Sequence, residues 1–98
     1  MTVLRMEHRV TDYQAWKEAF DSDPLDREGS GVRGYRILRA TDDASYVMVD
    51  LEFDAPDEAE ALLASIRPLW ERVQGTLISD PQARIVEPVE TTEYPLEG

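Results

Sequence analysis

Apolar residues along this chain switch between two periods, and the order of the switches restricts the folds open to it. From Thr2 to Val10 the period is two: Leu4, Met6, His8 and Val10 fall on one side of an extended strand, and Val3, Arg5, Glu7 and Arg9 on the other. Tyr13, Trp16 and Phe20 then recur at steps of three and four, a stripe along one helix face with Ala19 beside it. Residues 32–40 and 46–53 return to a period of two, and in the second run Val47, Val49, Leu51 and Phe53 make an unbroken apolar side. Ala59, Leu62, Leu63, Ile66, Leu69, Trp70 and Val73 step as the apolar face of a longer helix, and residues 82–86 read as a last strand. The order β-α-β-β-α-β, with a short hairpin at its centre, predicts the split βαβ arrangement, an α+β domain built on a four-stranded antiparallel sheet. Right-handed crossovers would place both helices on one face of that sheet.

Local chemistry supplies the boundaries. Thr11 reads as the N-cap of the first helix, with Gln14 returning a bond to the cap and Val10 stapled onto Ala15. Pro24 and the Gly29-Ser30-Gly31 cluster end that helix, and residues 41–45 make the hairpin turn. Asp54 reads as the cap of the second helix, with Pro56 in its first turn and Asp57, Glu58 and Glu60 complementing its positive end. Pro68 lacks an N–H and clashes with the carbonyl of Ala64, so it is expected to kink this helix or split it before Gln74-Gly75 closes it. The domain is expected over residues 1–89, with residues 90–98 an acidic C-terminal tail that frays.

A chain of 98 residues holds one core, and at that size only about two thirds of the unfolded surface is buried, so a partner helps. No apolar run approaches the ~20 residues that span a bilayer. Residues 1–10 alternate charged and apolar side chains where a signal peptide carries an apolar stretch, so a cytoplasmic protein is expected. With no cysteine, thiolate nucleophiles, disulfides and the usual structural zinc sites are excluded. The net charge of -11 repels phosphate backbones and anionic lipid, which argues against nucleic acid and membrane partners. Arg33, Arg36 and Arg39 do not change that, because they alternate between strand faces.

With both helices on one side, the other sheet face is left open. It carries Leu38, Tyr46 and Met48 among Arg5, Glu7, Arg36, Asp50 and Glu52, which predicts a homodimer formed by pairing this face with its charges matched. Asp50 and Glu52 then read as salt-bridged interface charges beside Arg5 and Arg36 rather than as a carboxylate pair for metal or acid–base work. Neither a metal-ligand cluster nor a cofactor motif is present, and no cofactor is expected.

Candidate chemistry gathers on the helix side. His8, the only histidine, titrates near neutral pH and sits toward the end of the first strand, where it is either a general base or a hydrogen-bonded structural residue. Tyr35 shares a strand face with Ile37 and is expected to point beneath the helices. A tyrosine and a histidine facing one cavity would polarise a phenol or enol and stabilise the anion that reacts with oxygen. Tyr13, Trp16 and Phe20 either line a pocket for a flat ligand or form core, and Trp70, just after Pro68, equally either sits at a pocket rim or packs as core.

Three segments carry a family resemblance: Asp12-Tyr13-x-x-Trp16-x-x-x-Phe20-Asp21, the strand from Gly34 to Arg39, and the helix from Ala59 to Trp70. Through these, and through the element order over residues 2–89, the chain resembles the dimeric α/β-barrel superfamily of ferredoxin-like proteins, in particular the small antibiotic-biosynthesis-type monooxygenases. The resemblance implies sheets paired into a barrel and a ligand held between helices and sheet within each subunit. It also implies a range of activities: cofactor-free oxygenation of polyaromatic phenols, haem degradation, lactone isomerisation and aldoxime dehydration. Quinone-forming and haem-degrading members use an asparagine near the end of the first strand together with a pocket tryptophan. Trp70 corresponds in kind to the tryptophan, whereas this chain contains no asparagine and no helix histidine. The expected function is a small-molecule pocket protein, a cofactor-independent, monooxygenase-like enzyme acting on an aromatic or phenolic compound. The alternatives are a non-catalytic ligand-binding or stress-response scaffold, and a barrel isomerase or cyclase with His8 as base.

Overall fold

The computed structural model describes residues 1–96. Its elements run β1 (Thr2–Val10), α1 (Tyr13–Asp21), β2 (Gly34–Ala40), β3 (Asp43–Phe53), α2 (Pro56–Val73) and β4 (Ile78–Val86). The strands form one sheet in the order β2-β3-β1-β4, with every neighbouring pair antiparallel. This is the ferredoxin-like α+β arrangement expected from the alternation of periods.

Register lines up the core. Leu4 faces Leu51, Met6 faces Val49 and His8 faces Val47 across β1 and β3, and all six side chains are buried together with Val10 and Phe53. Against this floor α2 lays Ala59, Leu62 and Ile66 over 18 residues, whereas the nine-residue α1 buries only Trp16. Each fully buried large apolar side chain contributes roughly 1.5–3 kcal/mol, so α2 is anchored several times over and α1 by one residue. A space under α1 follows from that asymmetry.

Several boundaries differ from expectation. The cap of α1 is Asp12, whose backbone is extended (φ -148°, ψ 113°) and whose Oδ1 accepts the N–H of Gln14 at 3.0 Å. Thr11 is engaged elsewhere. Its hydroxyl donates to the carbonyl of Thr76 at 2.7 Å and its N–H to the carbonyl of Leu77 at 3.1 Å, tying the end of β1 to the α2–β4 turn. At α2 the N-cap position is Ala55 without a side-chain cap. Asp54 instead accepts two bonds from the guanidinium of Arg33, at 2.7 and 2.9 Å.

Pro68 does not split α2, which continues from Pro56 to Val73. Both Pro68 and Ala64 are exposed, so the carbonyl that loses its helical partner can turn to water. β4 begins at Ile78 rather than residue 82, because Asp80-Pro81 is absorbed as an irregularity: pairing with β1 shifts between Glu7 and Arg9, and Asp80 takes a φ of 52°. β3 likewise begins at Asp43, with a shift between Arg39 and Ala40 that shortens the turn.

On the open face the charges pair within the chain. Arg5 holds both oxygens of Asp50 at 2.8 Å, Arg36 adds a bond at 3.1 Å, and the Tyr46 hydroxyl donates to Glu7 at 2.5 Å. Asp50 is 5% exposed, and the hydrogen bond from Arg5, with Arg36 adding to it, holds its carboxyl below the usual carboxylate range. Residues 87–96 carry no strand or helix and are exposed; the last two residues of the expected tail lie outside the described ones. Among the described residues no helix is long and apolar enough to cross a membrane.

Candidate functional site

The space under α1 is a cavity of about 180 Å³. Met6, His8, Val49 and Leu51 of the sheet form its floor, Trp16 and Phe20 of α1 one wall, and Leu62, Ile66 and Trp70 of α2 the other. Three lining residues are charged or ionisable, His8, Asp23 and Arg27; the remainder are aliphatic, aromatic or, at Met6, a thioether.

The segment between α1 and β2 forms the outer rim. Asp23 adopts φ 53° and its Oδ1 accepts the N–H of Arg27 at 2.9 Å, which turns the chain back over α1. Arg27 donates Nη1 to the carbonyl of Phe20 at 2.7 Å, pairs with Asp23 at 3.4 Å, and lays its guanidinium carbon 3.9 Å from the Phe20 ring centroid. Gly31 seats the far end of this segment at φ 101°, where a Cβ would come within 2.4 Å of the Glu58 carboxylate. The carboxylate, at the end of a flexible side chain, could move aside; the positive φ is what favours glycine here.

An aromatic chain crosses the site: His8 to Trp16 at 5.6 Å, Trp16 to Phe20 at 5.4 Å and Phe20 to Tyr35 at 5.1 Å between ring centroids. His8 is 4% exposed, and its Nδ1 is buried without a hydrogen-bond partner among the described residues. Burial pushes its imidazole below the usual 6.5, so the ring is neutral at neutral pH. A neutral imidazole offers one lone pair and one N–H, and at this position it can meet a ligand hydroxyl without the desolvation penalty of a buried cation.

Four of the six residues singled out in the sequence, His8, Trp16, Phe20 and Trp70, line the cavity. The other two do not. Tyr35 lies on the helix side of the sheet, opposite Leu51, but β2 is an edge strand and the residue is 51% exposed, its ring edge-on to Phe20. The expected meeting of Tyr35 with His8 is therefore not found. Tyr13 packs on Trp16 at 5.8 Å with Arg39 over its ring, away from the cavity. Sequence reasoning missed Asp23 and Arg27, which no periodicity marks. The available signal was the length of the α1–β2 connection, since long connections in small domains often carry function. Among the described residues no group of three or more metal-ligating side chains occurs.

By sequence, the chain matches no protein-family model and no curated protein. Solved structures do match. SnoaB, described as a cofactor-independent oxygenase from Streptomyces nogalater, superposes with a TM-score of 0.73 at 13% identity, covering 92% of this chain and 94% of that one. A protein from Deinococcus radiodurans, described provisionally as an antibiotic biosynthesis monooxygenase, gives 0.71 at 11% identity, with 97% and 99% covered. MhuD, solved with two manganese protoporphyrin IX molecules per active site, gives 0.68 at 15% identity, with 96% and 100% covered. At these identities the likeness concerns fold, and no residue role transfers with it. The chain thus has the ferredoxin-like fold shared by antibiotic-biosynthesis-monooxygenase-like proteins.

Proposed function

We propose that this chain is a small-molecule pocket protein that binds an aromatic or phenolic compound between α1, α2 and the sheet and oxygenates it without a cofactor. The observation that carries this reading is the cavity itself: about 180 Å³, walled by Trp16, Phe20 and Trp70, with the His8 imidazole as the one ionisable group of its floor. Such apolar concavities with few polar groups are the usual form of a ligand site. The description of SnoaB as a cofactor-independent oxygenase agrees with it.

In this reading the phenol hydrogen-bonds to His8, which takes its proton as an electron-rich phenolate forms beside it, the opposite charges offsetting the desolvation that keeps the free imidazole neutral, and the phenolate passes electrons to dioxygen. One oxygen atom enters the ring as a new carbonyl. The other leaves as water with the phenolic hydrogen and one ring hydrogen, so phenol plus O₂ balances as quinone plus water. Tyr35 is outside this scheme because it is outside the cavity. A second reading, a binding scaffold without turnover, is favoured by the same fact: of the pair expected to handle the anion, only His8 reaches the site. An oxygen electrode separates the two. Oxygenation predicts uptake with a bound phenol that His8→Gln reduces at least tenfold; binding without uptake in the wild type leaves the scaffold.

The same proposal includes a cytoplasmic homodimer. Leu38 and Met48 lie directly opposite each other on the open face, half-buried beside the internally paired Asp50, a surface that a second copy would cover.

A further inference from the structure

If the cavity is a ligand site, as proposed above, its size and polarity narrow the ligand class. We propose that the cavity takes a hydroxylated aromatic of one or two fused rings, its hydroxyl turned inward to His8, and that Arg27 at the rim excludes larger polycycles and haem.

The first observation is volume. An apolar protein cavity of about 150 Å³ accommodates one benzene. The present cavity, about 180 Å³, leaves room at an interior packing density of about 0.75 for a hydroxyl and a second fused ring, not a third. The second observation is that its outer limit is built. Arg27 is held by the Phe20 carbonyl, by Asp23 and by the Phe20 ring face, and its side chain is only 18% exposed. A ligand reaching past two rings must displace a guanidinium that has all three contacts.

The third observation is polarity at the floor. His8, 4% exposed, lines the floor beside Met6, Val49 and Leu51 and is the one side chain among them that offers both a hydrogen-bond donor and an acceptor. Its Nδ1 is sealed from the cavity, so a ligand meets the other edge of the ring. A ligand hydroxyl there makes a hydrogen bond that a hydrocarbon of the same outline cannot. Discrimination of this kind is strong because the analogue lacking the hydroxyl leaves the polar edge of the site unpaired.

The test is calorimetric titration of the full chain with 2-naphthol, naphthalene, 2-anthrol and hemin, repeated on His8→Leu, His8→Gln and Arg27→Ala. The expected result is 2-naphthol bound about tenfold more tightly than naphthalene, with 2-anthrol and hemin weaker than 2-naphthol. His8→Leu should remove the preference for the hydroxyl while leaving naphthalene affinity unchanged, and Arg27→Ala should raise 2-anthrol affinity several-fold. Should His8→Leu fail to fold, His8→Gln and the wild-type ratio of naphthol to naphthalene still decide the point. Equal binding of naphthol and naphthalene, or tighter binding of anthrol or hemin by the wild type, overturns this inference and leaves the pocket reading standing. Absence of binding by every member of the panel overturns both.

Discussion

Burial of the His8 imidazole ties the stability of the fold to pH. Its folded pKa lies below 6.5, whereas in the unfolded chain it titrates near 6.5. As pH falls through about 6.5 the unfolded state takes up the proton first, so stability is level above that value and declines below it, by at most about 1.4 kcal/mol per pH unit. The carboxylates held low by arginine, Asp43 and Asp50, add their own loss only at more acidic pH. Urea melts between pH 8 and pH 5 should show wild-type stability falling and His8→Gln nearly flat; parallel curves for the two proteins would show that His8 is not the titrating group. The face of His8 is legible in the sequence: alternation from Leu4 to Val10 places it on the core side, where it is found opposite Val47. Tyr35 follows the same rule and also lies on that side, yet it is half exposed. Parity gives the face of a strand, not how far the neighbouring helix extends over it, and α1 stops at Asp21.

Element identity was carried by period and element ends by capping chemistry, and the two were not equally legible. All six elements occur in the expected order because each hydrophobic face repeats often enough to be read. Ends depend on one or two polar side chains with more than one possible partner. Thr11 and Asp12 are adjacent residues that can both cap, and the choice fell to Asp12 because the Thr11 hydroxyl lies within 2.7 Å of Thr76, a contact that only the closed fold creates. Asp12→Ala should therefore cost about 1 kcal/mol, the usual worth of a lost N-cap. Trp16→Ala should cost more, about 3–5 kcal/mol, since Trp16 is the one buried residue of α1. Chemical denaturation followed by circular dichroism measures both. A loss below 1 kcal/mol for Trp16→Ala would mean that the loop of residues 22–33, rather than the tryptophan, holds α1 on the sheet.

At the scale of the whole molecule, the two faces of the sheet have different requirements. The helix side closes on itself except for the cavity and Tyr35 at the β2 edge, whereas the open side presents Leu38 and Met48 beside charges most of which are already matched within the chain: Arg5 and Arg36 on Asp50, and Arg9 on Asp43. A second copy can thus cover the apolar strip without having to supply ion partners. Long-range electrostatics oppose that approach, because each copy carries a net charge of -11. The repulsion is screened as salt shortens the Debye length from about 30 Å at 0.01 M to about 10 Å at 0.1 M. A dimer closed by Leu38 and Met48 should accordingly tighten as sodium chloride is raised from about 0.01 to 0.1 M, and the double variant Leu38→Glu with Met48→Glu should run as a folded monomer throughout. Light scattering after size exclusion reads both outcomes. A dimer that loosens with salt would assign the interface to ion pairs across the copies, and a wild-type monomer at every salt concentration would remove the dimer from the proposal while leaving the cavity, enclosed within one chain, able to bind.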